Sequence, residues 1–333
     1  MFEKVNPAHP DKIADRIAGA IVDLAYSIEP SPKVAVEVLI GHGDCNIIVE
    51  SSCITDSHKD KILELVKRIS KEDNINLNLK CVEQDTKLAN NQLREISCGD
   101  NGIFKYVVPS VEEEFLTEVA KAIYTCVPTD GKYVITRMEN EETINELYEN
   151  KESTAEIKVM EEPTYPYSLT ICQSNATEAE ILRKIPFNLI CSVYGISTRR
   201  FEQLKINPLG FWTGGLNVDT GATNRKLGSD MGRSVTGGGL HGKDCSKADV
   251  SVNIFCMLLG KKYHKNVSAY CSIGDKRVNF LIGFDEKNPI PYSESYESIA
   301  KAALDYINYV GGFEKFAEWG LLRGDLKWLQ SNQ

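Results

Sequence analysis

The apolar positions of this chain fall into short blocks whose spacing switches between the helical and the strand period. Pro10 stands at a helix entry, and Ile13, Ile17, Ile21 and Leu24 follow at helical spacing. Val34, Val36, Val38 and Ile40 then alternate with their neighbours. Gly41-His42-Gly43-Asp44 reverses the chain, and Ile47 and Val49 continue a second strand. Ile62, Leu65, Val66 and Ile69 mark a second helix. The same order returns twice. Leu116, Val119, Ala120 and Ile123 predict a helix, strands run near Tyr133 to Met138 and Tyr167 to Cys172, and Glu178 to Ile185 reads as helical. In the last pass a helix from about Lys247 to Leu259 leads to strands at Val267 to Ile273 and Val278 to Phe284. A helix carrying Ile299, Ala303, Leu304 and Ile307 follows. Three helix-strand-strand-helix passes predict an α+β fold of three similar units, each a sheet covered by helices on one face. The expected domains are 1–96, 97–204 and 205–333. Glu139 to Glu162, dense in Glu and Asn, reads as a solvated excursion of the central unit.

Composition narrows the classes. A chain of 333 residues with 42% apolar and 26% charged residues is an ordinary folded protein. The formal charge of −9 argues against a general affinity for nucleic acid, so a polyanionic ligand must be met by local basic clusters. No stretch has the apolar length of a membrane helix, and Met1 to Asp15 lacks the core of a signal peptide, so a cytoplasmic location is expected. Ten cysteines without a C-x-x-C pair, several of them inside apolar runs, read as reduced thiols and not as disulfides or a zinc site.

Three constellations carry chemistry. His9-Pro-Asp-Lys12 sets a proton or charge donor, a hard-cation ligand and a phosphate partner at the mouth of a helix, although Asp11 alone is equally well explained as helix capping. Glu37 lies on the face of its strand opposite the valines, and Glu50 raises the same question on the next strand. Each reads as a solvent-facing residue or, more sharply for Glu37, as an ion ligand. The richest stretch, Ile206 to Asp249, is dense in glycine, which lets backbone N–H groups approach an anion closely. Within it Arg225, Lys226, Lys243 and Lys247 supply charge for phosphate oxygens, while Asp219, Asp244 and Asp249 are candidate Mg²⁺ ligands; a plain surface loop is the alternative. Gly238 to Lys243 is followed by Asp244 where a Walker motif needs Ser or Thr, which disfavours a P-loop kinase.

Together these segments resemble the methionine adenosyltransferase family, also called S-adenosylmethionine synthetase. His9-Pro-Asp-Lys-Ile-Ala-Asp15 is similar to the family's G-H-P-D-K-I-A-D, Gly99-Asp-Asn-Gly102 to its G-D-Q-G, Thr129-Asp-Gly-Lys132 to its P-D-x-K, and Ile206-Asn-Pro to its I-N-P. Gly237 to Asp249 resembles its G-G-G-A-F-S-G-K-D-P-S-K-V-D. The resemblance implies attack of the methionine sulfur on C5′ of ATP, with release of triphosphate and its hydrolysis to phosphate and pyrophosphate. It implies three α+β units about a pseudo-threefold axis and a homodimer with active sites at the interface, a tetramer remaining open. Carried over by motif, His9 stabilises the departing oxygen, and Lys132, Arg225, Lys226 and Lys243 clamp the polyphosphate. Asp11 and Asp249 bind Mg²⁺, two ions per site, and Glu37 matches the K⁺ ligand. Asp130 lies near the ribose, and Phe211, or Trp212 one residue on, stacks on adenine. Glu50, Gln92, Asp100, Asp219 and Lys247 hold methionine and the nucleoside.

Four departures stand out. Only five residues separate Gln92 from Cys98 where the family has a longer mobile loop, which puts the gating step in question. The glycine-rich segment is shorter, Val250 replaces a usual arginine, and 139–166 is hard to align. A triphosphate hydrolase and a catalytically silent subunit of the same fold are the rival expectations.

Overall fold

A computed structural model describes residues 1–84, 96–137, 167–196, 198 and 201–323. Gln92, most of the shortened loop and the acidic stretch 139–162 lie outside the described residues.

The first repeat opens with β1 (Phe2–Val5) and α1 (Pro10–Ile28), followed by β2 (Val34–Gly41), β3 (Asp44–Ser51), α2 (Lys59–Ser70) and β4 (Asn76–Glu83). The second holds β5 (Gly102–Tyr106), α3 (Val111–Cys126), β6 (Gly131–Arg137), β7 (Tyr167–Gln173), α4 (Glu178–Lys184), α5 (Phe187–Val193) and β8 (Phe201–Ile206). The third holds β9 (Gly221–Ala222), α6 (Leu227–Met231), α7 (Ala248–Tyr263), β10 (Val267–Cys271), β11 (Arg277–Ile282), β12 (Ile290–Ser295), α8 (Tyr296–Val310) and α9 (Phe313–Trp319).

Local chemistry explains the elements the sequence predicts. His42 and Gly43 both take positive φ, 53° and 87°, the two-residue turn whose twist matches the flanking strands β2 and β3. Along β2 the valines are buried while Glu37 and Leu39 are exposed, as strict alternation demands. Ser110 caps α3 with Glu113 in a reciprocal box, and Thr177 with Glu180 does the same for α4.

Among the described residues there are three four-stranded sheets, ordered β9-β2-β3-β4, β1-β6-β7-β8 and β5-β10-β11-β12. The opening strand of each repeat does not join its own sheet. β1 pairs antiparallel with β6 of the second repeat, β5 with β10 of the third, and β9 with β2 of the first. This cyclic exchange is what a threefold arrangement of βαββ repeats produces. Sheet membership therefore crosses the sequence boundaries 96/97 and 204/205, because an edge strand satisfies its backbone groups on whichever neighbour lies beside it. The last positions differ: β3–β4 and β7–β8 are parallel across helical connections, whereas β11–β12 is an antiparallel hairpin.

One core, from Ile17, Ile21, Val36, Val38, Val252, Met257, Ile299 and their neighbours, joins the first and third units. The second has its own core, around Phe115, Leu116, Tyr133 and Leu169. The C-terminal α9 bridges them. Its backbone comes so close to α1 that a Cβ on Gly19 would stand 2.7 Å from the Phe313 carbonyl carbon, and Asp23 accepts the N–H groups of Phe313 and Glu314 at its start. Its end sends Trp319 into the second core, over the buried ammonium of Lys4.

Candidate active site

The hub of the site is the run 220–226, which β9 pins against β2. Its backbone and side chains reach three carboxylates, Asp11, Asp15 and Glu37. Ala222 N–H donates to Asp11 Oδ1 at 2.9 Å and Asn224 N–H to Asp15 Oδ1 at 2.8 Å. The Thr223 hydroxyl donates to Glu37 Oε2, and the Arg225 guanidinium stands 3.6 Å from Asp11 Oδ1. Asn224 exchanges hydrogen bonds with the backbone of His241, which ties this run to the glycine-rich run that carries Lys243.

His9 caps α1 by accepting the Asp11 N–H at Nδ1, 3.2 Å away, so the neutral ring must carry its proton on Nε2. That Nε2 is buried and has no partner. Burial, reinforced by the positive charges of Lys132, Lys226, Lys12 and Arg225, holds the imidazole's pKa down to about 3. His9 is thus a fixed neutral donor inside a basic cluster. Burial pushes the Asp11 carboxyl up, against the Ala222 N–H and the cations Arg225 and Lys226. Asp130 accepts Gly215 N–H at 3.3 Å, leaves Oδ1 buried without a partner, and is pushed by burial up to about 6. Lys132 faces Asp219 at 4.0 Å, and Lys226 faces Glu3 at 3.5 Å.

A second group adjoins the first. Lys243 pairs with Asp249 in the first turn of α7 at 2.6 Å. Gly238, at φ +83°, lets the loop pass directly over this carboxylate: a Cβ there would stand 2.1 Å from Asp249 Oδ1. The segment 242–244 is bonded to the edge of β2, with Lys243 opposite Ala35, and Ala35 opposite Glu50 on β3. Residues opposite one another in a ladder share a face, so Lys243, Ala35 and Glu50 form one row across the outer side of this sheet. Phe211 is 63% exposed, while Trp212 is held by Asn207 Oδ1 at 3.3 Å.

Two sequence readings change. Lys12 does not reach a phosphate: its ammonium is wholly buried, 3.0 Å from Asp15 and 2.5 Å from Asp230, because one helical turn points it inward beside Asp15. Asp244 is not positioned for Mg²⁺. Its two oxygens accept the N–H groups of Val34 and Ser246, and Lys247 pairs with it at 2.9 Å. Asp11 itself is 3% exposed. Asp100 is exposed at the head of β5, in the third sheet, and the described contacts do not join it to either group.

Asp15, Asp230 and His241 converge closely enough to suggest a cation site. Lys12 already supplies that charge, 3.4 Å from His241 Nε2. Burial opposes both ions of the pair, yet Asp230 and Asp15 hold Lys12 up, and Lys12 with His241 holds Asp230 down to about 2. The residues that suit an added divalent cation are instead Asp11 and Asp249, hard carboxylate donors on the first turns of two helices. A cation would relieve the burial that disfavours the charge on Asp11. Glu37, on an exposed strand face with one oxygen held by Thr223, suits a monovalent ion.

Residues 1–92 match the family described as S-adenosylmethionine synthetase, N-terminal domain. The chain is 28% identical to the S-adenosylmethionine synthase of Acholeplasma laidlawii over 85% of its own length and 78% of that protein. It is 24% identical to the Tropheryma whipplei enzyme over 91% and 84%. An unusual S-adenosylmethionine synthetase from Campylobacter jejuni shares the fold with a TM-score of 0.63 at 19% identity, covering 96% of this chain and 93% of that one. The domain match over the first 92 residues, the relatives that span most of the chain and the shared fold make this chain similar to the S-adenosylmethionine synthetases along most of its length.

Proposed function

We propose that the chain makes S-adenosylmethionine from ATP and L-methionine, releasing triphosphate and hydrolysing it to phosphate and pyrophosphate. The observation that carries this reading is His9: a buried, neutral imidazole with an unpartnered Nε2–H among four cations. When the methionine sulfur attacks C5′, negative charge builds on the 5′ oxygen and the triphosphate behind it. A preorganised donor on that oxygen and cations on the chain of phosphates stabilise this charge more than they stabilise bound ATP. His9 is the donor; Lys132, Arg225, Lys226 and Lys243 are the cations, with Asp130 and Phe211 on the nucleoside. Asp11 and Asp249 would hold Mg²⁺, which would supply positive charge to the phosphates, and Glu37 would hold K⁺.

In this reading Lys243 exchanges its partner Asp249 for phosphate oxygens when ATP binds. Glu50, Gln92, Asp100, Asp219 and Lys247 are assigned to methionine and the nucleoside, in a homodimer whose second subunit completes the site. The outer face of the first sheet, where Leu39 and Ile48 are about half exposed beside Glu37 and Glu50, supports an interface there. Among the described residues no helix is long and apolar enough to cross a membrane.

Incubation with ATP, methionine, Mg²⁺ and K⁺, read by mass spectrometry, tests the proposal. A sulfonium product with phosphate and pyrophosphate is expected. Phosphate release from added inorganic triphosphate, with no sulfonium from ATP and methionine, would indicate a triphosphate hydrolase, and no product from either substrate a silent subunit.

A further inference from the structure

Outside the site, one pair of reactive groups is held together by the fold. Cys98 Sγ stands 2.9 Å from Cys271 Sγ, and both residues are buried. They belong to segments that backbone bonds stitch together on either side of the sulfurs. Cys98 donates its N–H to Asp275 O at 2.9 Å and accepts Gly274 N–H at 2.8 Å, while Cys271 lies opposite Gly102 in the β5–β10 ladder. Neither thiol can drift from the other without opening that ladder. A disulfide needs a sulfur separation of about 2.05 Å, so closure asks for less than about 1 Å of approach.

We propose that Cys98 and Cys271 form an oxidation site, joined into an intrachain disulfide by hydrogen peroxide or another hydroperoxide. The cover over the pair is thin. Asp100 and Asn101 are exposed, and Ile273 is 60% exposed, so only a thin layer of exposed chain separates the sulfurs from solvent. The thiol of Cys271 holds Cys98 below the ordinary thiol range, and the same contact, with burial, pushes Cys271 up. Cys98 therefore reacts first. Its thiolate takes one peroxide oxygen to give a sulfenic acid and hydroxide. The Cys271 sulfur then attacks the sulfenic sulfur, the S–S bond forms, the S–O bond breaks, and hydroxide leaves with the Cys271 proton as water. In sum, two thiols and one peroxide give one disulfide and two waters.

Closure also changes the neighbouring segment. The reduced Cys98 thiol donates to Asp100 O at 2.8 Å, and the disulfide has no hydrogen to donate. Asp100 is a methionine ligand in the proposed function, and on that reading oxidation raises the KM for methionine several-fold and a dithiol reverses it.

The folded chain is treated with hydrogen peroxide, remaining thiols are alkylated, and the non-reduced digest is mapped. The expected result is one dominant cross-linked peptide pair, Cys98 with Cys271, two hydrogens lighter than the reduced pair and lost on reduction. In Cys271→Ser, Cys98 should instead be trapped by dimedone as the sulfenic acid, and in Cys98→Ser no link should form. Circular dichroism confirms that each variant is folded, and either one alone suffices. Two alkylated thiols, or scrambled links among the other cysteines at equal yield, overturn the proposal whether or not the chain makes S-adenosylmethionine. A clean link that leaves the methionine KM unchanged overturns the coupling to Asp100.

Discussion

His9 does two separable things, and one substitution parts them. Its Nδ1 caps α1, a role that asparagine fills well, whereas its Nε2–H points at the reacting oxygen in the proposed chemistry. His9→Asn should keep the melting temperature near that of the parent while kcat falls by about 10²- to 10³-fold, the usual cost of losing one such donor. A variant that keeps parental kcat removes His9 from the chemistry. Asp130 gives a pH signature in stability. Its folded pKa, about 6, lies above the ordinary carboxylate value. The folded chain then binds the proton more tightly than the unfolded one, so this contribution is full below pH ~4 and is lost as pH rises through ~6. Asp130→Asn has no such loss. In urea titrations its stability relative to the parent should rise from pH 4 to pH 7, by up to about 3 kcal/mol. A constant difference across that range would show that Asp130 ionises freely in the folded chain.

At the level of elements, the site depends on how closely β9 lies on α1. A Cβ on Gly221 would stand 2.0 Å from the Pro10 carbonyl oxygen, and the next residue, Ala222, donates to Asp11. Gly221→Ala forces the two backbones apart, a clash that typically costs about 1–3 kcal/mol and here also lengthens the bond to Asp11. Turnover should fall further than stability alone explains, with Arg225 and Lys226 displaced along with the strand. Unchanged denaturation midpoint and turnover would mean that β9 can shift without consequence. The apolar periodicity revealed α1, β2, β3, α2, α7, β10, β11 and α8 because each carries its pattern within one short window. β1, β5 and β9 escaped it. They are two to five residues long, and what makes them strands is a partner strand distant in sequence.

Across the molecule, the cyclic exchange of strands means that each unit is finished by another repeat. Deleting residues 1–5 removes β1 from the second sheet, together with the bonds of Lys4 and Val5 to Ser229. Amide exchange should therefore accelerate first in 131–137 and 167–173, far along the chain from the deletion, and only later in 34–51. Loss of protection that begins in 34–51 would contradict this coupling.

The sequence alone determined the three helix-strand-strand passes, the motifs and most of the charged residues proposed for the site, since these are encoded in local spacing and in short runs. It did not determine which charges face the substrate. Lys12 and Asp11 are neighbours in one motif, yet the helix sends the lysine into a buried cluster with Asp230 and His241, more than two hundred residues away, and leaves the aspartate beside Arg225. Asp244 and Asp249 differ in the same way: one is consumed by backbone N–H groups, the other stands with Lys243. A charge becomes structural or chemical according to what the folded chain brings within a few ångströms of it. That choice rests on contacts between distant segments, so only the tertiary structure could make it.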